Sequence, residues 1–382
     1  MRNKKLVFEL VLILLVSFLA IGCVGEKVTE GYVEEQQKEG YVEEQQTEGY
    51  VEEQQTEEDI EEQQPDNLLT TYSENIPSSV YSLYPKLGDY LLSYEITNNG
   101  EDYLYVTVSS EITGYTDDAI NTKQISPGET VEISQTPLFK PGVLDTLTET
   151  KTANLHFKVT YVEDNVEKVW DEQTMPIELY SKDTMVWSTY YDGELVDLSP
   201  YIVAWVTPHT REIDELVRIA AEYNPQGTMG YARTSDERYA QINAIYDALQ
   251  NEYSITYISS PISYTSGMES SQRVKLPKDA INLASANCID GTVLFASALE
   301  NIGIDSDIVI IPGHAFLAWE DGEGNIEGAL ETTMVGNSDF YDAYTYGLDE
   351  YNEQVENGNF ENGISLAISV KKCRDLGITP ME

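Results

Sequence analysis

The spacing of apolar residues changes once along this chain, from every second residue to every third or fourth. That change demands two folding units of different class. Between residues 78 and 182 the runs at 91–96, 103–108, 130–133 and 155–161 alternate apolar with polar, and 167–170 and 175–179 extend the series. Asn98-Asn99-Gly100, Pro127-Gly128 and Asp164-Asn165 supply turn chemistry between them. About seven short strands at such intervals predict an all-β sandwich of immunoglobulin-like type. From residue 200 to 382 the pattern is mixed. Residues 212–223 and 236–253 carry helical spacing, the latter with a Tyr239, Ile242, Ile245, Tyr246 and Leu249 stripe. Residues 277–284 lead into a helix over 288–302, with Gly303 as the terminator. Residues 267–272 read as a polar loop and 308–311 as a buried strand. Residues 315–319 and 326–330 flank Asp321-Gly322-Glu323-Gly324-Asn325, a hairpin signal. The second unit is therefore expected to be α+β.

Neither unit includes the first 70 residues. Arg2, Lys4 and Lys5 precede a 12-residue apolar run over 10–21, which is short of the roughly 20 residues that span a bilayer. The run ends in Ala20-Ile21-Gly22-Cys23. Small residues before a cysteine resemble the lipobox of prokaryotic lipoproteins, which implies a signal peptide over 1–22 and lipidation of Cys23. A plain signal peptide or an uncleaved anchor helix also fits; every one of these readings exports the protein, and the lipid anchor is expected to hold it at the outer face of the cytoplasmic membrane. Residues 23–70 are read as a stalk. The unit Thr29-Glu30-Gly31-Tyr32-Val33-Glu34-Glu35-Gln36-Gln37 recurs from Lys38, from Thr47 and, decayed, from Thr56, with a period of nine. Over 24–66, sixteen acids against Lys27 and Lys38 leave a net charge of −14. Such a segment cannot bury enough apolar surface to offset its ordering entropy. As a flexible chain it spans about 35–40 Å, and self-repulsion extends it further.

The whole chain carries 67 acids against 22 Lys and Arg, a net charge of −45. So acidic a surface argues against nucleic acid or anionic lipid as partners held by charge. Three scattered histidines make no usual zinc constellation, and the acids over 321–327 are better explained by a hairpin than by calcium. No metal and no cofactor are expected.

The chemistry-bearing residues lie in the second unit. Cys288 sits in Ser285-Ala286-Asn287-Cys288-Ile289-Asp290-Gly291, where the apolar helix pattern starts. In a first helical turn, unpaired N–H groups and the positive helix end favour a thiolate. Those amides also suit an oxyanion. Downstream come Pro312-Gly313-His314-Ala315-Phe316 and Glu331-Thr332-Thr333. A turn centred between Gly322 and Glu323 sets His314 opposite Glu331, where a carboxylate holds the imidazole in one tautomer. A sulfur, a ring and an acid are the minimum for thiolate acyl chemistry. Export permits disulfides, so a Cys288–Cys373 bridge is the rival explanation for both thiols. His156, in an alternating strand, and His209, beside Pro208, read as structural or surface residues.

Asn287-Cys288-Ile289-Asp290, then Leu294-Phe295-Ala296-Ser297-Ala298-Leu299-Glu300-Asn301-Ile302-Gly303, then Pro312-Gly313-His314-Ala315-Phe316, then Glu331-Thr332-Thr333 together resemble the transglutaminase-like superfamily. The likeness covers about 211–335, and the tail over 368–380 also resembles the end of prokaryotic members. It implies a papain-like fold over 200–382, with Cys288 as nucleophile, His314 as general base and acid, and Glu331 in place of the usual Asp. Asn282 and Asn287 are the oxyanion candidates. Gln272, Phe316 (where many members have Trp) and Trp319 are candidate cleft residues, although alternation puts Trp319 on the face away from His314. The implied reaction is acyl transfer at the amide of a surface protein or cell-wall peptide, with hydrolysis favoured over cross-linking. The alternative is a binding module that kept the fold without the activity.

Overall fold

The structure, a computed structural model, describes residues 67–87, 90–191, 194–260, 262–264 and 267–381. The expected leader, Cys23 and nearly all of the acidic stalk lie outside these residues. Among the described residues no helix is long and apolar enough to cross a membrane. The fold is mixed α+β with several sheets.

The alternating runs form β1 (Asn67–Tyr72), β2 (Asn75–Ile76), β3 (Leu92–Thr97), β4 (Leu104–Ile112), β5 (Ala119–Ile125), β6 (Thr130–Gln135), β7 (Lys151–Glu163) and β8 (Val166–Leu179). One sheet has the order β1-β3-β6 and the other β2-β8-β7-β4-β5. Their apolar faces meet. Tyr94 of β3 lies edge-on to Phe157 of β7 with ring centroids 6.2 Å apart, and both are buried. Three expectations change. Strand β1 takes in residues 67–70, which the repeats had assigned to the stalk. The runs at 167–170 and 175–179 are one 14-residue strand, held along β7 through a bulge at Val159/Thr160. The Asn98-Asn99-Gly100 turn joins strands of different sheets. There the buried Asn98 side chain donates to the Asp102 and Ile125 carbonyls.

Strands β9 (Thr184–Tyr191) and β10 (Glu194–Asp197) follow. Next come α1 (Arg211–Tyr223), α2 (Ser235–Asn251), β11 (Thr256–Tyr257), β12 (Ser270–Arg273), α3 (Pro277–Asn282), β13 (Ser285–Ala286) and α4 (Cys288–Ile302). Part of the expected polar loop over 267–272 is thus β12, which completes the sheet β10-β9-β12. Its sequence, Ser-Ser-Gln-Arg, carries no strand propensity, so pairing with β9 decides it.

The last sheet has the order β16-β15-β14-β17, built from β14 (Ser306–Ile311), β15 (His314–Glu320), β16 (Ile326–Leu330) and β17 (Leu366–Ser369). Every residue of β14 is buried, because both faces of the sheet are covered. Ile308, Ile310, Ala315, Leu317 and Trp319 join the main core with α4. Val309, Ile311, Phe316, Ala318 and Ala329 form a second cluster, covered by Tyr351 and Phe360. Tyr351 belongs to α5 (Phe340–Glu356), a helix the sequence reading did not anticipate. The tail, α6 (Val370–Asp375) and beyond, is locked by Arg374. Its guanidinium pairs bidentately with Glu300 at 2.9 and 3.0 Å and donates to the Val203, Val206 and Ile378 carbonyls.

One buried acid pair gives the fold a pH dependence. Asp307 and Glu320 are 7 % exposed each, and Asp307 Oδ1 has no hydrogen-bond partner. Burial, then the Glu320 carboxyl against it, raises the Asp307 pKa above the ordinary carboxylate range. The folded state therefore holds a proton that the unfolded chain releases. Its stabilising contribution is present at low pH and is lost as pH rises through the raised value. Asp307→Asn is expected to raise Tm near pH 7 and to flatten the decline that wild type shows from about pH 4 upward. Thermal melts across that range would refute this if the two proteins ran parallel.

Candidate active site

Helix α4 starts at Cys288 because of a reciprocal cap. The Asn287 side chain accepts from the Asp290 amide at 2.8 Å, and Asp290 accepts from the Asn287 amide at 3.1 Å. Asp290 also accepts from the Lys275 amide at 2.8 Å and pairs with its ammonium at 3.2 Å. The amides of Cys288 and Ile289, at the first two helical positions, have no intrahelical acceptor. Cys288 is 1 % exposed, and its sulfur lies 3.9 Å from the Ser260 carbonyl. Cys288 and Cys373 are both free thiols, which removes the bridge between them. Burial pushes the Cys373 thiol up to about 12, which makes it an inert packing group.

His314 is the first residue of β15, reached through the two-residue turn Pro312-Gly313 in which Gly313 has φ +79°. It shares a face with Phe316, whose ring stacks under it at 6.3 Å. At the end of the sheet the imidazole has two neighbours that bear on its charge. Its Nε2 lies 2.5 Å from Glu331 Oε2, which leaves Nδ1 for the Cys288 thiol, a neighbour close enough to act on the charge of the ring. Burial opposes charge on the ring, but the hydrogen bonds to the thiol and the carboxylate outweigh it and raise the pKa to about 10. At neutral pH the imidazolium is thus the favoured form, set between an acid and a sulfur.

Glu331 follows β16 directly and caps the short turn Thr332–Met334. It is 3 % exposed. Its second oxygen accepts from the Thr333 amide at 2.9 Å and from the Thr333 hydroxyl at 2.5 Å, so both oxygens are committed. Its amide donates to the Ala343 carbonyl of α5 at 3.0 Å. The neighbouring Thr332 hydroxyl reaches the Cys288 carbonyl at 3.5 Å, over Gly291. The acid is therefore clamped between the helix that carries the sulfur and α5.

The pairing that brings the ring and the acid together differs from the expected one. Leu317 pairs with Leu330 and Ala318 with Ala329, two residues from the anticipated register, with a bulge at Trp319/Glu320. Because strand side chains repeat every second residue, a two-residue shift keeps the face. Glu331 then reaches His314 diagonally instead of directly.

The other expected site residues take different places. Asn282 is exposed at the end of α3 and is not among the residues lining the cleft. The Asn287 side-chain oxygen is used by the helix cap. Gln272 accepts from the Ser263 amide and hydroxyl and from the Trp187 indole, so it pins the segment near Ser260. Phe316 is fully buried beneath the ring instead of lining a cleft. Trp319 packs against Gly328 and Tyr344 in the main core, on the face away from His314. His156 lies 3.1 Å from Thr174 on a sheet face, and His209 is exposed.

A cleft of about 380 Å³ opens beside the ring, lined by His314, Glu331, Thr333, Met334, Tyr346 and Glu350. Glu350 of α5 escaped the sequence reading. The stripe Phe340, Ala343, Gly347, Tyr351 after the Asp339 cap is the signal that could have placed its helix.

No family model matches the chain, and no curated protein matches it. Among solved structures, a protein from Archaeoglobus fulgidus aligns with 24% of this chain and 82% of its own at 12% identity, with a TM-score of 0.20. So low a score carries no argument about fold or activity.

Proposed function

We propose that this protein is an exported, lipid-anchored surface protein whose second unit carries out thiol-dependent acyl transfer at peptide amides, with hydrolysis favoured. In this reading an acidic stalk lifts an immunoglobulin-like sandwich and a transglutaminase-like, papain-like unit off the membrane. The substrate is a surface protein or cell-wall peptide. The observation that carries the reading is the His314–Glu331 contact at 2.5 Å, with Cys288 at the start of α4 close enough to act on the charge of the same ring.

The chemistry follows from these positions. The Cys288 thiolate attacks the amide carbonyl carbon, and a carbon–sulfur bond forms. The oxyanion is received by the free amides at the start of α4. His314 passes its proton to the leaving nitrogen, the carbon–nitrogen bond breaks, and an amine departs. Water then attacks the thioester while neutral His314 takes its proton, and the acid product leaves with the thiol restored. Glu331 holds the ring throughout. The sulfur is shielded, so substrate reaches it by displacing the Ser260 carbonyl.

The same shielding, at 1 % exposure, favours the second reading, a binding module without catalysis. Alkylation separates the two. Iodoacetamide is expected to modify Cys288 at pH 7 faster than a free thiol of pKa near 8.5, and His314→Ala should slow it by about 10²-fold or more. Mass spectrometry that found Cys288 unmodified in the folded protein, or equally reactive in both proteins, would leave the binding module standing.

A further inference from the structure

Glu350 poses a problem that the proposed reaction does not solve. Its Oε2 is shielded from solvent and has no hydrogen-bond partner. Burial raises its pKa, as does the Glu331 carboxylate nearby, while His314 opposes them. A carboxylate held without a partner in such a place is costly unless a cation completes it. The chain's net charge of −45 concentrates cations around every opening on its surface.

The neighbours of Glu350 suggest which cation. One ligand atom each from His314, Glu331 and Glu350 lies within 4.8 Å of the other two. The three come from the start of β15, the turn after β16 and the middle of α5, so their spacing along the chain hides them. All three line the 380 Å³ cleft, which is open to solvent and leaves room for water as a further ligand. One imidazole nitrogen with two carboxylates suits a borderline divalent transition metal. Calcium asks for six to eight oxygens, which this set does not provide.

We propose that His314, Glu331 and Glu350 form a binding site for a divalent transition-metal ion of the zinc class. The ion takes the ring nitrogen and carboxylate oxygen that otherwise hold each other. With the metal on the nitrogen that faces Glu331, Nδ1 keeps its one proton and the ring can no longer become an imidazolium, so His314 loses its acid–base cycle and the ion switches the site off reversibly. This second half rests on the triad proposed above, whereas metal binding itself does not.

The test uses the full chain, stripped with a chelator and titrated with Zn²⁺ in a calorimeter. One Zn²⁺ per chain is expected in wild type and in Cys288→Ser alike, because the sulfur is not a ligand. Glu350→Gln, a change on a half-exposed helix position, should weaken binding by about 10–100-fold or more, with the melting temperature of the metal-free protein reporting that it folds. Loaded with Co²⁺ instead, wild type should show d–d bands without a thiolate charge-transfer band. The proposal is overturned if Glu350→Gln binds Zn²⁺ as tightly as wild type, or if Cys288→Ser abolishes binding. In a separate arm, Zn²⁺ should protect Cys288 of wild type from iodoacetamide. A chain that binds Zn²⁺ while its sulfur stays equally reactive refutes the switch. A sulfur unreactive even without metal refutes the catalytic reading and leaves the metal site intact.

Discussion

Glu331→Gln is expected to lower the hydrolysis of an activated ester or peptide amide by about 10²–10⁴-fold while leaving the fold in place. The substitution is nearly isosteric, and the amide oxygen can still accept from Thr333, as Glu331 does at 2.9 and 2.5 Å. What changes is the atom facing His314 Nε2, now 2.5 Å from a carboxylate oxygen. An amide nitrogen there donates, so the ring must turn or present its bare nitrogen, and the proton moves to the side where the thiol needs a base. The hydrogen bonds that raise the His314 pKa to about 10 are weakened together. Glu331→Asp keeps the charge but shortens the reach, so its activity should fall between the two. A Glu331→Gln protein with an unchanged melting temperature and a wild-type rate would remove the acid from the mechanism.

The second large effect is expected at a residue that touches no reacting atom. A Cβ on Gly347 would lie 2.6 Å from the Glu331 amide nitrogen and 2.7 and 2.8 Å from Leu330 backbone atoms. Two effects compete in Gly347→Ala. Helix propensity favours alanine by about 1 kcal/mol. The clash is with the backbone at the end of β16 and cannot be relieved by a rotamer, so overpacking costs about 1–3 kcal/mol and wins. Relief requires α5 to lift from the strand end, and Glu331 moves with it because its amide donates to Ala343. Activity should fall by about 10²-fold, since misplacement by an ångström is enough, along with a lower melting temperature. Alanine at 347 with full activity would show that the acid is positioned by something other than this close approach.

Much of the site was legible because its pieces are local. Asn287 and Asp290 make a cap whose two halves lie three residues apart, so Cys288 had to begin a helix. Pro312-Gly313 makes a two-residue turn, so His314 had to begin a strand. Other pieces were not local. Ser270–Arg273 is a strand only because β9 offers it an edge. The hairpin register slipped by two, through a bulge that no turn signal announces. Phe316 and Trp319 were both grouped with the cleft, yet both are buried in core clusters on opposite sides of the sheet.

Sequence alone determined the period of each segment, the caps that start its helices, and that a cysteine begins one of those helices and a histidine one of the strands, since all of these are set by residues within a turn or two of one another. Tertiary structure decided how α5 crosses β16 at Gly347, and with it where Glu331 points and that Glu350 faces His314 across a cleft. Those outcomes depend on contacts between segments distant in sequence. Their energies come from backbone close approach and shared burial, quantities that exist only once the layers are packed.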